Sequence, residues 1–263
     1  MKLRTCTRQD PRLLHRLTQV RQQLTADTVL LLSNPANLRY LFNYTGEAAC
    51  ALISREQSYL ITDYRFAQQA LDECANLQVV CRDREQQRLG QTIAALLPLC
   101  AAQTISQLWF EDAWIPQQTY QALRTDNASL EFSPAPDLLS RLRSVKDQTE
   151  ILALRGAAEI ADQALAHCVG LLQPGIREAE FALELDYQLR KLGADALSFD
   201  TIVGFGARSA LPHCPPGATR LQAGDLIVVD FGAKLDGYGS DMTRSFVAGT
   251  ATPRQAAMYA TVL

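Results

Sequence analysis

No apolar run in this chain approaches the length of a membrane span. The first residues, Met1-Lys-Leu-Arg-Thr-Cys-Thr-Arg-Gln-Asp-Pro11, lack the apolar stretch of a signal peptide. Positive charge is not in excess. With 25 Lys and Arg against 28 Asp and Glu, the formal net charge is −3, which leaves no electrostatic footprint for nucleic acid or an anionic membrane. Seven scattered cysteines include no Cys-x-x-Cys pair. Their odd number and spacing exclude an obvious disulfide framework or structural zinc site, and fit reduced thiols in a cytoplasmic protein. Internal repeats and low-complexity tracts are absent. What is present is 263 residues, 48% of them hydrophobic: a globular chain long enough for one large domain or two ordinary ones.

The first 135 residues alternate helical and strand patterns, which predicts an α/β layered domain. Pro11 to Leu24 has helical spacing. Thr28 to Ser33 reads as a buried strand stopped by Asn34-Pro35, and Ala49 to Ile53 with Ser58 to Thr62 as a hairpin. Gln87 to Leu97 reads as a helix ended by Pro98. Ser133-Pro-Ala-Pro-Asp137 breaks the composition, so residues 136–146 are expected to be a linker and residues 147–263 a second domain. Two long helical patterns follow, Asp147 to Leu172 and Arg177 to Leu192, the latter closed by Gly193. Thr252-Pro253 opens a last helix.

The chemistry concentrates between Asp225 and Arg244. Leu226 to Val229 is a buried strand pattern, Asp236-Gly237 is a turn signal, and Val247 closes a second strand. Such a hairpin is antiparallel. A register that pairs residues whose numbers have an odd sum places Asp230 and Asp241 on one face, either opposite or diagonal; an even sum separates them. Ionised carboxylates that close repel unless a cation lies between them, and divalent ions held by carboxylate oxygens satisfy that need. Asp230 follows four apolar residues in a strand expected to be buried on both sides, where an unpaired carboxylate is costly. The plainer alternative is an ion pair with Arg244, three residues beyond Asp241. Asp236 reads as turn chemistry.

His213 stands in the rigid segment Leu211-Pro-His-Cys-Pro-Pro-Gly217, ahead of the strand that carries Asp230. Imidazole relays protons near neutral pH, so His213 is either a proton-transfer residue or an idle loop histidine. His15 and His167 lie in helical patterns and receive no role. Gly204-Phe-Gly206 lacks the third glycine of a dinucleotide fingerprint. Residues 236–241 lack the closing glutamate of an EF-hand. Nothing marks Cys214 as an activated nucleophile.

In order along the chain, Leu142-Arg-Ser-Val-Lys146-Asp-Gln-Thr-Glu150-Ile, Phe199-Asp-Thr-Ile-Val203 with Leu211-Pro-His213, Asp230-Phe-Gly and Gly237-Tyr-Gly-Ser-Asp241-Met-Thr-Arg244 resemble the pita-bread metallopeptidases of the Xaa-Pro aminopeptidase and prolidase branch. Residues 1–135 are similar to that family's N-terminal creatinase-like domain. The resemblance implies an α/β N-terminal creatinase-like domain followed by the first part of an α+β pita-bread catalytic domain.

It also implies roles. Asp230 would chelate one metal ion, Asp241 would bridge two, Thr243 would support them from behind, and His213 would hydrogen-bond near the scissile peptide and help move protons. The two divalent ions would be manganese, cobalt or zinc, polarising the peptide carbonyl and activating water. The substrates would be short proline-containing peptides, and the assembly a homodimer. The family completes its metal site with a histidine and two glutamates further along the catalytic domain. No His follows His213 and no Glu follows Glu184 here. The expectation is therefore an incomplete catalytic domain, inactive as this chain alone. The competing expectation is a non-catalytic relative that binds peptides or dimerises.

Overall fold

The computed structural model describes residues 2–262. The chain divides into two compact units, Met1–Val145 and Lys146–Leu263. The first runs β1 (Lys2–Thr5), α1 (Pro11–Arg21), β2 (Thr28–Leu32), α2 (Pro35–Phe42), β3 (Cys50–Ile53), β4 (Ser58–Thr62), α3 (Ala67–Glu73), β5 (Gln78–Cys81), α4 (Leu89–Cys100), β6 (Gln107–Phe110), α5 (Gln117–Asp126), β7 (Glu131–Pro134) and α6 (Leu138–Ser144).

Its seven strands form one mixed sheet in the order β1-β5-β4-β3-β2-β6-β7. The three central strands β2, β3 and β4 are buried at every position, whereas β1 at the edge is exposed throughout. That gradient follows from helices on both faces, which let the central strands be apolar without alternation. Leu30, Leu32, Ala51 and Ile53 pack on one side with Leu17, Val20, Leu38 and Leu41. Val29, Leu31, Cys50 and Leu52 pack on the other with Ile93, Leu96 and Leu123.

Three boundaries differ from expectation, each for a local reason. Asn34-Pro35 stops β2 but also starts α2: the Asn34 side chain accepts from Ala36 N and Pro35 takes the first helical position. Pro98 lies inside α4 rather than at its end; so near the last turn, the missing N–H costs one bond and the helix runs on to Cys100. Within residues 136–146, read as a linker, α6 carries the buried Leu139 into the first unit's core, with Leu138 and Leu142 packed beside it.

The second unit runs α7 (Gln148–Cys168), α8 (Glu178–Lys191), β8 (Ala196–Leu197), β9 (Ile202–Phe205), β10 (Leu226–Phe231), β11 (Ala233–Leu235), β12 (Tyr238–Gly239), β13 (Met242–Val247) and α9 (Pro253–Val262). Two small sheets form, β13-β10-β9 and β12-β11-β8. Helices α7 and α8 cover one face only. Ala161, Ala164, Leu165, Phe181, Leu185 and Leu189 meet Val203, Phe205, Ile227, Val229 and Phe231 there. The other face of β10, with Leu226, Val228 and Asp230, is half-buried. This corrects the expectation of a strand buried on both sides: the apolar run alternates in depth because only one layer of helix lies against it. No residue of α9 is buried among those described.

Leu139→Ala tests whether α6 belongs to the first unit's core. A loss of about 2–3 kcal/mol is expected in urea unfolding. Both tryptophans, Trp109 and Trp114, lie in that unit, so their fluorescence reports it. A change under about 0.5 kcal/mol, the range of surface substitutions, would show α6 to be a tether.

Candidate functional site

The hairpin that carries the two aspartates keeps one register through both small sheets. Asp230 pairs with Thr243 and Phe231 with Met242 in the first ladder, Lys234 with Gly239 and Leu235 with Tyr238 in the second. Between them Ser240 N donates to Ala233 O at 2.8 Å, which continues the register across the junction. The paired numbers have an odd sum. Asp241 therefore stands opposite Gly232, on the same face as Thr243 and diagonal to Asp230, a relation that separates Cβ atoms by about 7 Å.

Two local features hold this arrangement. At the tip, Asp236 (φ 50°) and Gly237 (φ 78°) both take positive φ, as a two-residue hairpin loop of this hand requires. At the junction, a Cβ on Gly232 would lie 2.0 Å from the Ser240 carbonyl oxygen. The strands come so close beside Asp241 that only glycine fits.

Helix α7 fastens the opposite side of the hairpin. The even-numbered residues of the second arm turn toward it: Tyr238 donates its hydroxyl to Glu150 Oε1 at 2.7 Å, Ser240 Oγ donates to Ala157 O at 3.1 Å, and Arg244 pairs with Asp162 at 3.4 Å. The odd-numbered Asp241 and Thr243 face the other way. Arg244 thus belongs to the helix side and pairs with neither Asp230 nor Asp241, contrary to the plainer alternative read from the sequence.

On the open face, Thr243 Oγ1 donates to Asp230 Oδ1 at 2.8 Å. Among the described residues Asp230 Oδ2 and both oxygens of the exposed Asp241 have no hydrogen-bond or ion-pair partner. Unpaired carboxylate oxygens on one face suit a hard divalent cation. No group of three or more His, Cys, Asp or Glu is placed for metal binding among the described residues. Asp230 and Asp241 fit as two oxygen ligands, fewer than the three or more that catalytic sites draw from protein.

The same face continues into an apolar groove of about 460 Å³ under α9, bounded by Leu226, Val228, Ser245, Met258 and Tyr259. Ser209 and Ala210 also border it, and they end the short 3-10 helix Gly206–Ala210 that leads to His213. His213 itself is exposed and makes no hydrogen bond to either aspartate. The register brings the two aspartates together; His213 is tied to them only through its loop. His15 and His167 are exposed on α1 and α7.

That loop rests on a residue that no motif in the sequence marks. Glu178, in the first turn of α8, is fully buried. Its carboxylate accepts from Phe205 N, Gly217 N and Arg208 Nε, each at 3.0 Å. The hydrogen bond to Glu178 raises the affinity of the Arg208 guanidinium for its proton. Nearby, Thr201 Oγ1, just ahead of β9, donates to Asp186 Oδ1 of α8 at 2.5 Å; burial pushes the Asp186 carboxyl up against the lowering effect of that bond. In the sequence Glu178 reads as first-turn helix chemistry, and nothing there pairs it with an arginine thirty residues on.

A family model described as Metallopeptidase family M24 matches residues 153–263, and one described as Creatinase/Prolidase N-terminal domain matches residues 16–145. An uncharacterized peptidase of Bacillus subtilis, YqhT, is 34% identical over 249 residues, covering 95% of this chain and 69% of the relative. An Xaa-Pro dipeptidase of Pyrococcus furiosus is 39% identical over 133 residues, 51% of this chain and 38% of that one. Among solved structures, an Xaa-Pro dipeptidase from Bacillus anthracis superposes with a TM-score of 0.86 at 33% identity, covering 95% of this chain and 68% of the other. The chain thus spans about two thirds of the YqhT relative and of the solved dipeptidase, and less than half of the Pyrococcus enzyme.

Gly232→Ala tests the junction. The added methyl meets backbone rather than a movable side chain, so a cost of about 2–3 kcal/mol is expected, with loss of the Ser240–Ala233 amide protection in hydrogen exchange. Wild-type stability and protection would show that the two strands are not this close.

Proposed function

Because the chain belongs to metallopeptidase family M24 and opens with a creatinase/prolidase N-terminal domain, we propose that it serves the hydrolysis of Xaa-Pro peptide bonds in short peptides. The observation that carries the reading is the diagonal pair Asp230 and Asp241 on one open face, with Thr243 directly opposite Asp230. The fold is that of the prolidases: an α/β N-terminal domain and part of an α+β pita-bread domain.

In this reading Asp230 and Asp241 hold divalent ions: manganese, cobalt or zinc. When bound, such ions polarise a scissile carbonyl and lower the pKa of water. Thr243 fixes the Asp230 carboxylate by its hydroxyl, leaving Oδ2 without a partner among the described residues. Asp241 has both oxygens free for the same purpose. His213 carries a proton to or from the peptide at its imidazole nitrogen, a role suited to an exposed ring on a constrained loop. The groove beside Asp230 is apolar and would accept a proline ring or an apolar side chain. Two carboxylates alone make a weak site, so residues 1–263 by themselves are expected to hold the ion weakly and turn over little or no substrate.

The same reading carries a homodimer and a cytoplasmic setting, the latter supported by seven cysteines that are all free. No helix among the described residues is long and apolar enough to cross a membrane. The second reading, a non-catalytic peptide-binding or dimerising relative, has no use for the paired carboxylates.

Manganese titration followed by electron paramagnetic resonance tests the proposal, with and without an Xaa-Pro dipeptide. Thr243→Val is expected to weaken binding by about 10-fold, as loss of a partner behind a ligand does, and Asp230→Asn or Asp241→Asn to weaken it further. Binding indifferent to both aspartate substitutions would remove the metal role and favour the non-catalytic relative.

A further inference from the structure

Among the described residues of the second unit, Glu178 is the one carboxylate whose side chain is wholly out of solvent, and none of its hydrogen bonds goes to Asp230 or Asp241. Its bonds close a loop. Phe205 N, at the end of β9, donates to Oε1, and Gly217 N, twelve residues later, donates to Oε2. Arg208 Nε lies 3.0 Å from both oxygens, and Arg208 Nη2 reaches across to donate to Pro215 O at 2.7 Å. Both ends of the segment 205–217 are thereby gripped by one carboxylate. A smaller ring, Arg208 to Pro215, is closed inside it by the guanidinium.

His213 sits in that inner ring. Cys214 beside it is buried, so the chain is anchored inward at 214 while the His213 ring is left outside. Pro212, Pro215 and Pro216 restrict φ on both sides of the pair. Ser209 and Ala210 of the same segment border the groove on the open face of β10. A buried carboxylate is an expensive way to seal a loop, and apolar residues would seal it as well; directional bonds instead select one arrangement of the backbone.

We propose that Glu178 and Arg208 are positioning residues that set where the His213 imidazole stands relative to the Asp230 face. The catalytic meaning rests on the peptidase reading above; the positioning itself does not. Neither residue lines the groove or hydrogen-bonds to the aspartates. They act on the reaction through the loop, and a displacement of the ring by about 1 Å is enough to lower a proton-transfer step by about 100-fold.

The test uses ¹H–¹³C spectra of the histidine rings together with amide exchange. There are three histidines, so His213→Gln identifies the signal. Arg208→Met is expected to bring the His213 ring signal toward that of an unstructured peptide and to lower Gly217 and Phe205 amide protection by at least about tenfold, while β10 amides keep theirs. Arg208→Lys, which keeps the charge, is expected to recover part of both. Should Arg208→Met fail to fold, Glu178→Gln, a neutral isostere, is expected to give the same local loosening. An unchanged ring signal in either folded variant overturns the proposal. So does a loss of protection that spreads equally through β10, because the pair would then serve general stability. An ordered His213 in a protein whose manganese binding is indifferent to Asp230→Asn and Asp241→Asn would sink the peptidase reading and leave the positioning intact.

Discussion

The second unit depends on the parity of one antiparallel pairing. Because Asp230 stands opposite Thr243, every odd-numbered residue of the second arm falls on the face that Asp230 occupies and every even-numbered one on the face of α7. A slip by one residue would turn Asp241 toward the helix and Arg244 toward the groove. Three interactions with α7 and the crowded junction at Gly232 resist that slip. The face that the two carboxylates occupy is thus set by contacts that neither of them makes: the side of the hairpin turned to α7 decides which residues stand on the open side.

The one-sided cover of this sheet explains its composition. A strand flanked by helices on both faces is free to be apolar throughout, as β2, β3 and β4 of the first unit are. A strand with one covered face alternates in depth even when its sequence does not. Leu226-Ile-Val-Val229 looks like the first kind and behaves as the second. The half-exposed Leu226 and Val228 leave an apolar margin beside Asp230, and α9 adds Met258 and Tyr259 without burying any of its own residues. An apolar groove with an acidic edge is the product.

Much of this could be read from residue types. The Asp236-Gly237 turn, the strands on either side and the capped helices at Asp147 and Thr252 are local signals, and local signals survive folding. The condition for the aspartates to share a face could be stated from the sequence, but which register held could not, since the turn, the tethers to α7 and the Gly232 contact act together. Asn34-Pro35 misled because one dipeptide serves both to stop a strand and to start a helix. The α6 segment misled because Pro134 and Pro136 just before it outweighed Leu138, Leu139 and Leu142. Glu178 and Arg208 were illegible for a plainer reason: thirty residues part them, and only the return of the loop to α8 makes them neighbours.

The tethers between α7 and the hairpin also have a common scale. They join Glu150 to Tyr238, Ala157 to Ser240 and Asp162 to Arg244. Between the outer two, twelve helical residues rise about 18 Å and six strand residues about 20 Å, so helix and strand cover the same length, with the middle fastening unevenly placed between them. The helix serves as a gauge laid along the ribbon. A single insertion in either partner would put the later fastenings out of phase with the earlier ones, so length changes in this stretch of the chain are tolerable only as matched pairs.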